Sequence, residues 1–197
     1  MKPSHIAAFA LWAVLATPVA AQNLYAGLAA YEAGDYLTAL KNWQPLAEQG
    51  NAYAQNFLGV MYDTGRGVLE DYAEAVRWYR LAGEQGDANG QSNLGFMYST
   101  GQGVLQDYAE AVRWYRLAAE QGDANAQRNL GLMYVNGRGV LEDIVLAHMW
   151  FNIASANGSE LATQNRALAV EEMTREQIAD AQARARVCLS SGYRDCD

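Results

Sequence analysis

The sequence predicts an all-α fold: a solenoid of stacked helical hairpins closed by a C-terminal helical cap. Three observations predict it. The chain repeats itself at a shift of 36 residues, each unit carries two helix-length apolar periodicities, and the last unit changes character as an end unit must. DYAEAVRWYRLAGEQGD at 71–87 recurs as DYAEAVRWYRLAAEQGD at 107–123, with one difference in 17 positions. FLGVMYDTGRGVLED at 57–71 recurs as NLGFMYSTGQGVLQD at 93–107 and NLGLMYVNGRGVLED at 129–143.

Within a unit, the second helix is the easier to place. Asp71 with Glu74, and Asp107 with Glu110, have the spacing of a capping box. Tyr72, Ala75, Val76, Tyr79 and Ala82 then recur in steps of three and four residues, one face of a helix. Gly86 supplies a left-handed C′ position. Asp87 caps the next helix, whose apolar marks are Leu94, Met97 and Tyr98. Glycine inside a helix costs about 1 kcal/mol relative to alanine, so its recurrence at 59, 95 and 131 predicts close approach of neighbouring backbones. The stretch D-T-G-R-G-V-L-E at 63–70 reads as a loop turned by two glycines. A hairpin of this size cannot bury both faces alone, so neighbours must stack. Ile144 to Ala156 has lost the Glu and Arg of earlier copies and gained apolar residues, so more chain must cover it. Leu161–Val170, then a helix over 175–187 with Thr174 and Gln177 as a capping box, are the expected cover.

Of the 197 residues 51% are hydrophobic and 18% charged, with 14 Lys+Arg against 22 Asp+Glu for a net charge of −8. An acidic chain repels phosphate backbones, which argues against a nucleic-acid partner. The first 21 residues read as an export leader: Lys2, an apolar run from Ile6 to Ala16, then Pro18 and Val19-Ala20-Ala21 at the positions a signal peptidase reads. Cleavage is expected between Ala21 and Gln22, leaving thirteen basic residues against 22 acidic. The run is too short to span a bilayer, and no later stretch is long enough, so no membrane insertion is expected after cleavage. A periplasmic or secreted location follows. In that oxidising compartment Cys188 and Cys196 are expected to form a disulfide. Their spacing does not match a redox C-x-x-C pair.

These motifs resemble the Sel1-like repeat family, a relative of the tetratricopeptide repeats. The first copy carries the pattern at Ala54, Leu58, Gly59, Tyr62, Gly65, Gly67, Val68, Asp71, Ala75, Trp78, Tyr79, Ala82 and Gly86. The second carries it from Gly90, Leu94, Gly95 and Tyr98 through Gly101, Gly103, Val104 and Asp107 to Ala111, Trp114, Tyr115, Ala118 and Gly122. The third keeps Trp150 but has Phe151 for Tyr and Ser155 for Ala. The division expected is a leader at 1–21, a tetratricopeptide-like half unit at 22–51, three repeats at 52–87, 88–123 and 124–159, and a capping segment at 160–197. The resemblance implies a right-handed α-solenoid whose concave face is lined by the first helix of each unit. It also implies a protein or peptide partner, such as a membrane sensor or an envelope assembly, in some relatives within exopolysaccharide control. Relatives with cysteine pairs inside each repeat are associated with penicillin binding and β-lactam hydrolysis. This chain has no cysteine in any repeat, so a non-enzymatic scaffold is the expectation, with a purely structural spacer that holds other proteins apart as the alternative.

Candidate chemistry is sparse. The Gly-x-Gly-Val loops follow helices rather than strands and lack the Lys-Ser/Thr of a phosphate cradle. Beyond the leader the chain keeps one histidine, His148, where earlier copies have Val76 and Val112, and it reads as a core residue. It has no neighbouring His or Cys with which to hold a metal. No catalytic, cofactor-binding or metal site is expected. Glu74–Arg77 and Glu110–Arg113 read as solvated pairs worth a few tenths of a kcal/mol. Function is expected on first-helix positions that vary between copies: Tyr53, Asn89 and Asn125; Asn56, Ser92 and Arg128; Val60, Phe96 and Leu132; Asp63, Ser99 and Val135. They share one face, with apolar anchors flanked by amides, suited to a peptide or an amphipathic helix.

Overall fold

A computed structural model describes residues 18–196 of the chain, which form ten α-helices and, among the described residues, no strand. The apolar run at 6–16 lies outside the described residues, and the expected cleavage point after Ala21 falls inside the first helix. The helices are α1 (Pro18–Glu32), α2 (Tyr36–Glu48), α3 (Ala52–Thr64), α4 (Tyr72–Glu84), α5 (Ala88–Thr100), α6 (Tyr108–Ala119), α7 (Ala124–Asn136), α8 (Ile144–Ala156), α9 (Glu160–Val170) and α10 (Arg175–Ser190). Each packs on the next as far as α9, and α10 returns onto α8. The segment expected as a half unit holds a helix pair. Gly34, at φ +79°, and the Asp35 cap turn the chain between α1 and α2 in three residues, without a long loop.

Sequence sets each helix boundary. Asp71, Asp107 and Asp143 sit in extended backbone, and their carboxylates accept backbone N–H groups of the first turns of α4, α6 and α8. Only half of the expected capping box forms at Asp71 and Asp107. Their own N–H groups donate instead to Tyr62 O (2.9 Å) and Tyr98 O (3.0 Å), closing the loop onto the first helix. Glu74 and Glu110 therefore pair with Arg77 and Arg113. The reciprocal box does form at Thr174 and Gln177. Gly65, Gly101 and Gly137 end the first helices at φ +65°, +75° and +58°, a conformation glycine adopts without penalty.

The helical glycines work differently from the expectation. A Cβ at Gly59, Gly95 or Gly131 would overlap the ring of Tyr79, Tyr115 or Phe151 in the second helix of the same unit. What approaches is an aromatic face, which each repeat seats against the bare backbone of its partner helix. Backbone meets backbone at Gly90, where a Cβ would lie 3.0 Å from Gly83 N.

Between units runs a ladder of buried amides that the apolar periodicity does not reveal. Gln55, Gln91 and Gln127 donate to Ala47 O (3.1 Å), Gly83 O (3.0 Å) and Ala119 O (2.9 Å) of the preceding hairpin. Their side-chain oxygens accept from Gln85, Gln121 and Asn157 at 2.6, 2.8 and 2.9 Å. A buried amide left unpaired costs about 1–3 kcal/mol, so the ladder fixes the stacking register as well as filling space.

The end units differ as stacking requires. In α8, Ala147, His148, Met149, Trp150, Phe151, Ile153 and Ala154 are all buried, because α9 and α10 cover it. The disulfide between Cys188 and Cys196, Cα atoms 4.5 Å apart, pins the tail. Tyr193 then exchanges hydrogen bonds with Asn157, the last member of the amide ladder. At the other end Trp43 covers Gly27, donates from Nε1 to Leu24 O (3.1 Å) and stacks on Phe57 at 4.4 Å.

Candidate functional site

The first helices α3, α5 and α7 lie side by side. α3 also packs on α5 and α5 on α7, whereas the second helices α4, α6 and α8 make no comparable approach to one another. That closer approach is what the expected lining of the concave face by the first helices requires.

The four rows of variable residues lie on α3, α5 and α7, and the structure separates them. Tyr53, Asn89 and Asn125 are exposed, Tyr53 by 59%. The second row closes gaps between hairpins. Asn56 and Ser92 are buried. Asn56 accepts from Asn93 Nδ2 (2.9 Å), and Ser92 Oγ donates to Asp123 (3.1 Å). Arg128 is half-buried and donates to Asn165 of α9 at 2.9 Å. In the third row Phe96 stands 45% exposed, while Val60 packs against the central core. Leu132 and Val135 line a cavity of about 130 Å³ with Ile144, Phe151 and the α9 residues Asn165, Leu168 and Ala169. In the fourth row Asp63 accepts from Tyr79 OH (3.2 Å) and Ser99 Oγ lies 3.3 Å from Tyr115 OH.

The open strip is therefore Tyr53, Asn89, Phe96 and Asn125. At its N-terminal end it widens into a groove of about 310 Å³ between α1 and α3, lined by Leu24, Tyr25, Leu28, Tyr53 and Phe57. At its C-terminal end α9 closes it. Leu24, Tyr25 and Leu28 escape a reading of the repeats because α1 has no counterpart in the 36-residue period. Phe57 escapes because it stands where the later units have Asn93 and Asn129, a substitution visible in the sequence.

Burial shifts several ionisable groups in and beneath these helices. Burial pushes the Asp63 carboxyl above its ordinary range, against the pull of the Tyr79 hydroxyl. Burial likewise raises Tyr79, and lifts Tyr115 to about 12. At neutral pH both tyrosines are uncharged hydrogen-bonding groups. His148 lies buried in α8, its Nδ1 without a hydrogen-bond partner, and burial and Arg166 hold its pKa below the usual histidine value. Among the described residues no cluster of His, Cys, Asp and Glu is placed to hold a metal ion. No helix among them is long and apolar enough to cross a membrane.

A family model described as the Sel1 repeat matches residues 52–87, 88–123 and 124–159. No curated protein matches the chain. Among solved structures it is similar to a Sel1 repeat protein from Oxalobacter formigenes, at 37% identity and a TM-score of 0.70 over 74% of this chain and 58% of that one. It is also similar to a protective antigen present in uropathogenic Escherichia coli strains that displays an SLR fold, at 29% identity and a TM-score of 0.62 over 88% of this chain and 47% of that one. The chain thus spans less than two thirds of either relative's length.

Proposed function

The chain belongs to the Sel1 repeat family, and from that membership we propose that it is a non-catalytic, exported scaffold holding a segment of another protein on the open strip of its inner face. Sel1 repeats commonly serve as protein–protein interaction scaffolds and are typically non-catalytic. The single observation that carries the reading to these residues is the contrast along α3, α5 and α7. Around Tyr53, Asn89, Phe96 and Asn125 every stacking position, from Ala54 and Leu58 to Ala126 and Leu130, is buried, while these four stay open. An apolar or aromatic side chain of the partner enters the groove between α1 and α3, where it meets Tyr25, Tyr53 and Phe57. The amides of Asn89 and Asn125 orient the rest of the segment. Anchors in pockets supply most binding energy and polar groups supply register.

Export to the periplasm is supported by the disulfide between Cys188 and Cys196. Under this reading 1–21 is the leader, 22–51 the entry pair, 52–159 the binding repeats and 160–197 the cap. The partner is an envelope protein, a membrane sensor or an assembly component.

The test is capture from an envelope extract by the purified chain and by a Tyr53→Ala/Phe96→Asp variant. Both sites are exposed, so the variant melts within about 2 °C of the parent, as exposed substitutions do. Captured proteins are lost from the variant. Unchanged capture ends the reading. Turnover of a β-lactam such as nitrocefin, abolished by a single side-chain change, would make the chain an enzyme instead.

A further inference from the structure

α9 closes the C-terminal end of the inner-face strip, and it is held there lightly. Its buried side chains are two alanines, Ala162 and Ala169, while Leu161 and Leu168 stand 55 and 62% exposed. The rest of its attachment is polar. Asn165 accepts from Arg128 of α7 at 2.9 Å, Arg166 donates to Asn152 of α8 at 2.6 Å, and the Ser155 and Thr163 hydroxyls meet at 2.6 Å. α10 packs on α8 rather than on α9 and is tied down by the disulfide and by Tyr193. Gly158, at φ +93°, and the turn at 171–174 give α9 a joint at each end. Elements with few buried apolar contacts are the ones that open locally.

His148 lies under this helix. It stands one turn before Asn152 and two before Ser155, on the α8 face that meets α9. Ile144 and Phe151, on the same face, line the cavity of about 130 Å³ between α7, α8 and α9. His148 is 2% exposed, and its Nδ1 has no hydrogen-bond partner. A neutral imidazole tolerates that site. An imidazolium carries an N–H on both nitrogens, so its charge and an unmatched donor would be buried together, at a large cost.

The surrounding charges do not relieve that cost. α7, α9 and α10 pack on α8. Burial, then Arg166 of α9, holds the His148 pKa below the usual value. Glu172 lines the cavity but is exposed, as is Glu171 beside it. On α10, Asp180 pairs with Arg184 at 3.1 Å, and Arg184 is also drawn to Asp143 at the head of α8. On α7, Arg128 is engaged by Asn165.

We propose that α9 is an acid-operated lid: protonation of His148 lifts it from α8 and lengthens the inner-face strip over Arg128, Leu132 and Val135. In the lifted form the imidazolium reaches water, so this form takes up its proton near the ordinary histidine pKa of about 6.5. The closed form takes it up only at lower pH. The balance is therefore constant above about pH 6.5 and shifts toward the open form below it, by up to about tenfold per pH unit. The opening does not depend on what the strip holds. Its use, admitting a longer partner segment, rests on the scaffold reading above.

Hydrogen exchange of the full chain, read by mass spectrometry at pH 7.5 and 5.0 and corrected for intrinsic rates, tests the lid with no partner present. Peptides within 160–170 lose protection by about tenfold or more at pH 5.0, while those within 108–119 and 175–190 keep theirs. His148→Val, which carries the residue of the earlier units, and His148→Gln, neutral at every pH, keep α9 protected at both pH values. Circular dichroism confirms that each variant is folded. The proposal is overturned if α9 of the parent exchanges alike at the two pH values. It is equally overturned if a folded variant still loses protection there at pH 5.0, or if protection falls evenly along the chain. Capture by the Tyr53→Ala/Phe96→Asp variant reads the strip and α9 exchange reads the lid, so the two readings fail separately.

Discussion

Position 148 holds histidine where the two preceding units hold Val76 and Val112. The sequence reads it as a core residue, and the structure buries it under the C-terminal cap. Burial, then the charge of Arg166, keeps its folded pKa below the ordinary value, so the unfolded chain binds the proton more readily than the folded one. The folded state is unaffected above the unfolded pKa of about 6.5. Below it stability falls as pH drops, by at most about 1.4 kcal/mol per unit. His148→Val, which restores the residue of the earlier copies, flattens that part of the profile. Urea melts of both proteins at pH 7.5 and 5.0 check this, and equal losses in the two would contradict it. Gln55, Gln91 and Gln127 make the complementary point. Each recurs at the repeat period, so the signal was present in the sequence. Only the stacked neighbour shows that each amide serves two hairpins.

A single helix of this protein is specified by caps and by what it must lie against. Substituting alanine for a helical glycine gains about 1 kcal/mol from propensity alone, and the structure decides the net sign. At Gly59 a methyl group would overlap the Tyr79 ring, so Gly59→Ala destabilises the chain by about 1–3 kcal/mol. At Gly83 a Cβ would meet Gln91 Cγ and Trp114 Cζ3 at 3.3 Å, and the equivalent position in the next unit is Ala119. Gly83→Ala is therefore neutral or mildly stabilising. Urea denaturation of the pair checks the contrast, and the same sign at both positions would refute it. The recurrence of these glycines was legible as close packing. That the neighbour is a ring in the same unit was not, because periodicity along the chain does not say which atoms arrive from across it.

Taken whole, the molecule is an array whose ends need separate treatment. α9 and α10 shield the apolar α8, and the disulfide holds Tyr193 against Asn157, where the amide ladder stops. Closing a ring of about nine residues stabilises by roughly 2.5 kcal/mol through loss of unfolded-state entropy. A Cys188→Ser/Cys196→Ser variant loses about that amount, seen as a lower urea midpoint that added reductant does not lower further. A parent protein insensitive to reductant under unfolding conditions, with the variant equally stable, would remove the tail's role.

By itself the sequence determined the repeat length, the two-helix unit, the caps and the need for a cover over the last unit. These follow from local periodicity and from residues whose backbone preferences are fixed by their own chemistry. Tertiary structure alone decided which variable residues stay open. Asn56 and Ser92 share a helical face with Tyr53 and Phe96, yet adjacent hairpins seal the first pair and leave the second in solvent. It also decided that α1 contributes Leu24, Tyr25 and Leu28 to the groove, and that Leu69, Leu105 and Leu141 stay in solvent while the valines before them pack inward. Exposure is a property of the space between elements, and that space is set by how hairpins lean on one another.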